Sequence, residues 1–241
     1  MSAHCKLAQR LTTVHERIAA ACERAGRAVS EVTLVAVSKT VEPEVVLEAA
    51  ALDVATFGEN RAQELVRKRV ACPEVDFHFI GSLQRNKVRV VVDALAPHTD
   101  DGAGAIGSRG LIHSVDSLRL LEAINRCAAE VGVVQPVLVQ VNVSGEESKH
   151  GVEPHEVRVL VEAATAMSSV AIKGLMTMAP FETIGAPEEA RIHFTRLREL
   201  RDELQIHDPH VRELSMGMTN DFEVAIEEGA TLVRIGSAIF A

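Results

Sequence analysis

Apolar and polar positions along this chain follow two rhythms. Short runs of period two, rich in Val, Ile and Phe, are separated by stretches whose apolar residues recur every three or four positions. Ahead of the first run, residues 3–25 set Leu7, Leu11, Val14 and Ile18 on one helical face. Strands are then predicted at 32–38, 54–57, 77–80, 111–115, 136–142, 171–177, 212–215 and 231–235. Amphipathic helices are predicted between them near 43–52, 60–70, 84–95, 117–131, 154–168, 187–205 and 220–228. Asn60 with Gln63, and Asn220 with Glu223, match the spacing of a capping box, and Pro43 and Pro154 sit where a first helical turn accepts proline.

Strands that alternate strictly with helices imply a parallel sheet, and at eight strands closure into a (β/α)8 TIM barrel is more natural than an open sheet. The fold class expected is therefore α/β, a single barrel domain over residues 1–241 with an extra N-terminal helix, since no linker rich in Pro, Gly or Ser divides the chain. The last residues follow the eighth strand directly. No eighth helix is expected there, and the N-terminal helix is the candidate to cover the gap. The stretch from Pro97 to Gly110 reads as a flexible insertion on the face opposite the catalytic loops.

Composition narrows the function. A net charge of −9 gives no electrostatic support for binding nucleic acid or anionic membranes. No apolar run approaches the roughly 20 residues that span a bilayer, and the N-terminus lacks the apolar core of a signal peptide. Cys5, Cys22, Cys72 and Cys127 are too scattered for a zinc site or a disulfide framework, so a reduced, cytoplasmic protein without a metal is expected.

Two charged residues stand out against apolar strands. Lys39 ends the run Val35-Ala36-Val37-Ser38-Lys39, and alternation puts it on the face of Val35 and Val37. A buried ammonium there costs several kcal/mol unless paired, neutral or covalently used, and a lysine pushed toward neutrality forms imines with carbonyl compounds such as pyridoxal phosphate. The alternative is an end-of-strand lysine reaching water. Only six of the 25 Lys and Arg residues are lysine, so its use at position 39 is conspicuous. Arg234 shares a face with Leu232 and Gly236. It either pairs internally with a carboxylate such as Glu59 or donates to the ring nitrogen of a pyridoxal cofactor. A donor-only group there leaves that nitrogen unprotonated and the ring a poor electron sink.

Barrel enzymes build sites at the carboxyl ends of strands, with phosphate commonly held after strands seven and eight. Ser215 and Gly217 at the seventh junction, and Gly236 and Ser237 at the eighth, suit an anion. Asp221 reads as a cap, because a carboxylate would repel phosphate. Asn60 at the second junction either contacts a cofactor or caps its helix. His78 reads as a satisfied core histidine and Lys149 as an exposed loop residue.

These segments resemble the pyridoxal phosphate homeostasis protein family, single-domain relatives of the alanine racemase N-terminal barrel. The resemblance rests on Val35-Ala36-Val37-Ser38-Lys39-Thr40, Phe57-Gly58-Glu59-Asn60, and His78-Phe79-Ile80-Gly81 with Leu83-Gln84 and Asn86-Lys87. It continues through Ser114-Val115-Asp116-Ser117, Gly174-Leu175-Met176, Leu214-Ser215-Met216-Gly217-Met218 and Val233-Arg234-Ile235-Gly236-Ser237-Ala238-Ile239-Phe240. It implies that Lys39 carries pyridoxal 5'-phosphate as an internal aldimine. Arg234 then faces the ring nitrogen, and Ser215, Gly217, Gly236 and Ser237 surround the phosphate.

Alanine racemase adds a second domain whose tyrosine is the opposing base, and this chain has no tyrosine. Lacking a general acid–base forfeits about 10²–10⁴-fold in rate. A noncatalytic role in intracellular cofactor homeostasis is therefore expected, with apo-enzymes receiving the cofactor from a monomer or weak dimer. The alternatives are a low-activity pyridoxal-phosphate-dependent racemase or lyase, and a barrel enzyme whose lysine forms an imine with a phosphorylated sugar.

Overall fold

The computed structural model describes residues 3–97, 110–146, 150–180, 183 and 185–241. Residues 98–109 of the expected insertion, and Lys149, lie outside the described residues. Eight strands appear in chain order: β1 (Thr33–Val37), β2 (Thr56–Glu59), β3 (Asp76–Phe79), β4 (Ile112–Val115), β5 (Gln135–Gln140), β6 (Val170–Met176), β7 (Glu213–Ser215) and β8 (Leu232–Ile235). All pair in parallel with their sequence neighbours, and β1 pairs with β8, from Thr33 opposite Leu232 to Ala36 opposite Ile235. The barrel is closed, as expected of eight strands alternating with helices.

The helices are α1 (Ala3–Ala25), α2 (Pro43–Ala50), α3 (Ala62–Ala71), α4 (Val88–Leu95), α5 (Leu118–Val131), α6 (Val157–Ala164), α7 (Arg191–Gln205), α8 (Phe222–Glu227) and α9 (Ser237–Phe240). The face foreseen on α1 is the buried one: Leu7, Leu11, Val14 and Ile18 join the main apolar core. Helix α1 packs against α8 and α9 and so covers the sheet where an eighth full helix would lie. Arg17 fixes that docking, stacking 4.5 Å over Phe222 while donating to Glu223 at 2.7 Å. The expectation of no helix after β8 is corrected by the single turn of α9.

The capping boxes expected at Asn60 and Asn220 do not form. Arg61 precedes α3 without a side-chain cap, and ahead of α8 the Asp221 carboxylate accepts the Met218 N–H at 2.6 Å. That bond closes the turn before α8, and no side chain caps the helix itself.

Two apolar cores result. The larger lies between strands and helices, and a smaller one fills the barrel interior with Val35, Leu111, Leu138, Met176 and Leu232. In the outer layer sits one ion pair with both side chains fully buried, Lys68 Nζ to Glu59 Oε1 at 2.6 Å. The same Glu59 oxygen accepts the Ser38 hydroxyl at 2.7 Å, and Lys68 also donates to the Ser38 carbonyl. The end of β1 is thereby tied to β2 and α3. Close approach matters at one strand pair: a Cβ on Gly174 would collide with the Glu213 backbone across β6 and β7.

Lys68→Met leaves the Glu59 carboxylate buried and unpaired and should lower stability by about 3–5 kcal/mol. The double variant Glu59→Gln/Lys68→Met, which strands no charge, should lose less. Gly174→Ala should cost about 1–3 kcal/mol by overpacking. Urea denaturation midpoints measure all three, and an unchanged Lys68→Met midpoint would contradict the role given to the pair.

Candidate functional site

At the carboxyl end of the barrel a cavity of about 330 Å³ opens between β1, β7 and β8. That volume falls within the range of small-molecule sites, about 300–1,000 Å³. Lys39, Thr40, Thr219, Asn220, Arg234 and Ser237 supply its polar lining, and Val37, Met218 and Phe240 its apolar lining.

Alternation along β1 holds as expected. Val35 is buried in the barrel interior, Val37 lines the cavity, and Lys39 follows on the same face. The intervening Ser38 turns outward to Glu59. The expected burial of Lys39 is corrected, however. The strand ends at Val37, and Lys39 stands beyond it, exposed at the open mouth. A period of two fixes which way a side chain faces, not how deep it lies. The buried lysine is Lys68, which already holds Glu59, so the pairing of Arg234 with Glu59 is ruled out as well.

Arg234 is 5% exposed. Its Nη1 donates to Ser215 Oγ at 2.6 Å and its Nη2 to the Thr177 carbonyl at 2.9 Å. Among the described residues it makes no ion pair, and its Nε makes no hydrogen bond. Burial pushes its pKa down to about 10, with the charge of Asp221 acting the other way, so it remains a cation at neutral pH. Burial likewise raises Asp221, which its bond to the Met218 N–H and the charge of Arg234 oppose. A buried guanidinium without a carboxylate costs several kcal/mol unless something supplies acceptors.

Beneath Arg234 the interior is polar. Ser215 Oγ lies 2.8 Å from His113 Nδ1, and His113 Nε2 lies 3.0 Å from His78 Nδ1. Burial drives both imidazoles neutral, His78 to about 4 and His113 well below its ordinary value, with His78 and Arg234 adding to the effect on His113. His78 is thus a partnered interior histidine, and it borders a second cavity of about 350 Å³ at the opposite end of the barrel, with Thr33, Thr56, Lys173 and Glu213.

Of the site residues expected from sequence, Lys39, Arg234, Gly236 and Ser237 converge on the carboxyl-end cavity. Asn60 is exposed at the start of the β2–α3 connection and does not line it. Ser215 is fully buried, with its hydroxyl turned to Arg234 and His113. Gly217 shapes the loop instead of lining the cavity. Its φ of +91° belongs to glycine, and a Cβ there would come within 2.6 Å of Ala225. Asp221 stands at the N-cap position of α8, but its carboxylate accepts the Met218 N–H of the preceding turn and caps no helix amide, which corrects the cap role expected of it. Sequence reasoning missed Thr219, whose hydroxyl lies 3.1 Å from that of Ser237, although its place two residues after Gly217 was a usable signal. It also missed His113. A register irregularity in β4 between Ile112 and Val115 breaks the alternation that would have drawn notice to it.

Among the described residues no group of three His, Cys, Asp or Glu side chains is placed to hold a metal ion, and no helix is long and apolar enough to cross a membrane.

Residues 11–241 match the family model for the alanine racemase N-terminal domain. A pyridoxal phosphate homeostasis protein of Aquifex aeolicus is 45% identical over 238 residues, 96% of each chain. Solved structures are similar as well. A protein of unknown function from Bifidobacterium adolescentis has a TM-score of 0.84 at 35% identity, covering 98% of this chain and 95% of that one. PipY of Synechococcus elongatus, solved with pyridoxal phosphate bound, has a TM-score of 0.79 at 32% identity, covering 98% of this chain and all of that one.

Proposed function

The chain belongs to the alanine racemase N-terminal domain family, alongside the pyridoxal phosphate homeostasis proteins, and from that premise we propose that it is a noncatalytic carrier of pyridoxal 5'-phosphate. The residues present fit the group. Arg234 is a buried cation lacking an anionic partner and lines the cavity, so it suits a ring nitrogen that only accepts. Lys39 offers a primary amine at the rim, and Thr219, Ser237 and the Gly236 backbone suit a phosphate near the ends of β7 and β8. Ser215 and Gly217 then support the site without lining it, and Asn60 stands outside its lining. When bound, the cofactor would supply a reactive aldehyde, and Lys39 would be the amine that holds it.

The composition of the cavity wall carries the noncatalytic reading. Among the described side chains that line it there is no imidazole, thiol, phenol or carboxylate. His78 and His113 lie below Arg234 and Ser215, engaged with each other. A lysine alone at an open mouth lacks the opposing acid–base group that two-sided proton transfer at a substrate carbon needs. Such a wall suits holding a reactive aldehyde, and apo-enzymes are the recipients proposed for it.

Borohydride reduction of protein loaded with pyridoxal phosphate, followed by peptide mass mapping, should place a pyridoxyl group on Lys39. The Lys39→Ala protein should lose the visible absorbance. Labelling confined to another lysine would sink the assignment. Incubation with single enantiomers of amino acids should show no turnover above background; Lys39-dependent turnover at ordinary enzymatic rates would instead favour a racemase or lyase.

A further inference from the structure

One hydrogen-bonded chain links β8, β7, β4 and β3 through the barrel interior, and the carrier function as stated does not use it. It runs Arg234 Nη1 to Ser215 Oγ (2.6 Å), Ser215 Oγ to His113 Nδ1 (2.8 Å), and His113 Nε2 to His78 Nδ1 (3.0 Å). Its direction follows from donor arithmetic. A guanidinium only donates, so Ser215 Oγ accepts from Arg234. The Ser215 side chain is fully buried, and among the described residues the remaining partner for its hydroxyl proton is His113 Nδ1. His113 therefore carries its proton on Nε2 and donates to His78 Nδ1, and His78 in turn carries its proton on Nε2.

We propose that His113 is a positioning residue for the cofactor. By accepting a hydrogen bond from the Ser215 hydroxyl it turns that oxygen's lone pairs to Arg234 and fixes the guanidinium, whose remaining donors would serve the ring nitrogen. This rests on the reading that the cavity takes pyridoxal phosphate. Three features point to it. A serine hydroxyl is a rotor, and one denied an acceptor in the barrel interior leaves a buried donor unsatisfied at a cost of about 1–3 kcal/mol. The irregularity in β4 falls between Ile112 and Val115, the interval that holds His113, and is the kind of local distortion that re-aims a side chain near a site. Both imidazoles are also held neutral by burial, so no second cation competes with Arg234 for acceptors. Thr177 completes the clamp, its carbonyl taking Nη2 while Ser215 takes Nη1. The guanidinium plane is set by these two contacts, and only the one at Ser215 depends on a movable proton.

The test has two arms. In the ligand-free protein, long-range proton–nitrogen NMR of the imidazoles should show His78 and His113 as neutral Nε2–H tautomers at pH 6–7. An Nδ1–H tautomer at His113 overturns the assigned order. In the second arm, titration with pyridoxal phosphate reads affinity and the visible band. His113→Leu should bind roughly ten-fold more weakly with a shifted band. His113→Asn, which keeps an acceptor near the Nδ1 position, should recover most of both. Ser215→Ala severs the same link with a smaller change and should reproduce the loss if His113→Leu fails to fold. Wild-type affinity and spectrum in a folded Ser215→Ala or His113→Leu protein overturn the proposal. Should wild-type protein form no visible adduct at all, the carrier reading falls and the positioning role with it, whereas the tautomer order still stands or fails on the NMR alone.

Discussion

A guanidinium buried in a barrel without a carboxylate to neutralise it is the constraint around which the carboxyl end of this protein is organised. Arg234 is held by a hydroxyl and a carbonyl, neutral acceptors that orient it without discharging it. Asp221 bears on it electrostatically, but that carboxylate is committed to the Met218 amide. Desolvation depresses the arginine's pKa only to about 10, so the charge persists at neutral pH. An interior that keeps a cation while withholding a counter-charge favours whatever brings acceptors into the adjoining space.

The neighbouring lysines divide two tasks. Lys68 and Glu59 are both fully buried and spend their charges on each other and on Ser38, which locks the last turn of backbone before the cavity. Lys39 is next in the chain and free of that network. Its backbone is anchored from behind while its amine stands in water. Rigidity and reactivity thus fall to adjacent residues that face opposite sides of the sheet.

Much of the fold was legible because periodicity reports facing. The strand and helix rhythm gave the closed barrel, the α1 stripe gave its buried face, and charges interrupting apolar strands singled out Lys39 and Arg234. What stayed hidden depends on distance along the chain or on broken periods. Depth was illegible: nothing in Val35-Ala36-Val37-Ser38-Lys39 says that the strand ends two residues before the lysine. The partner of Glu59 was missed because Lys68 reaches it from the following helix, where a lysine on an amphipathic stretch reads as solvated. Ser215 looked like an anion ligand because its loop is right, yet its side chain points inward to Arg234. Caps at Asn60 and Asn220 failed because that spacing permits a cap without requiring one.

Exposure of Lys39 also bears on how a covalent passenger leaves. A carbon–nitrogen double bond formed at a mouth open to solvent is reachable by water and by free amines alike. On the carrier reading, the residence time of the cargo would follow the hydrolysis and exchange chemistry of that bond. Grip would then come from the noncovalent contacts deeper in the cavity, and the lysine would behave less as a lock than as a latch worked from outside.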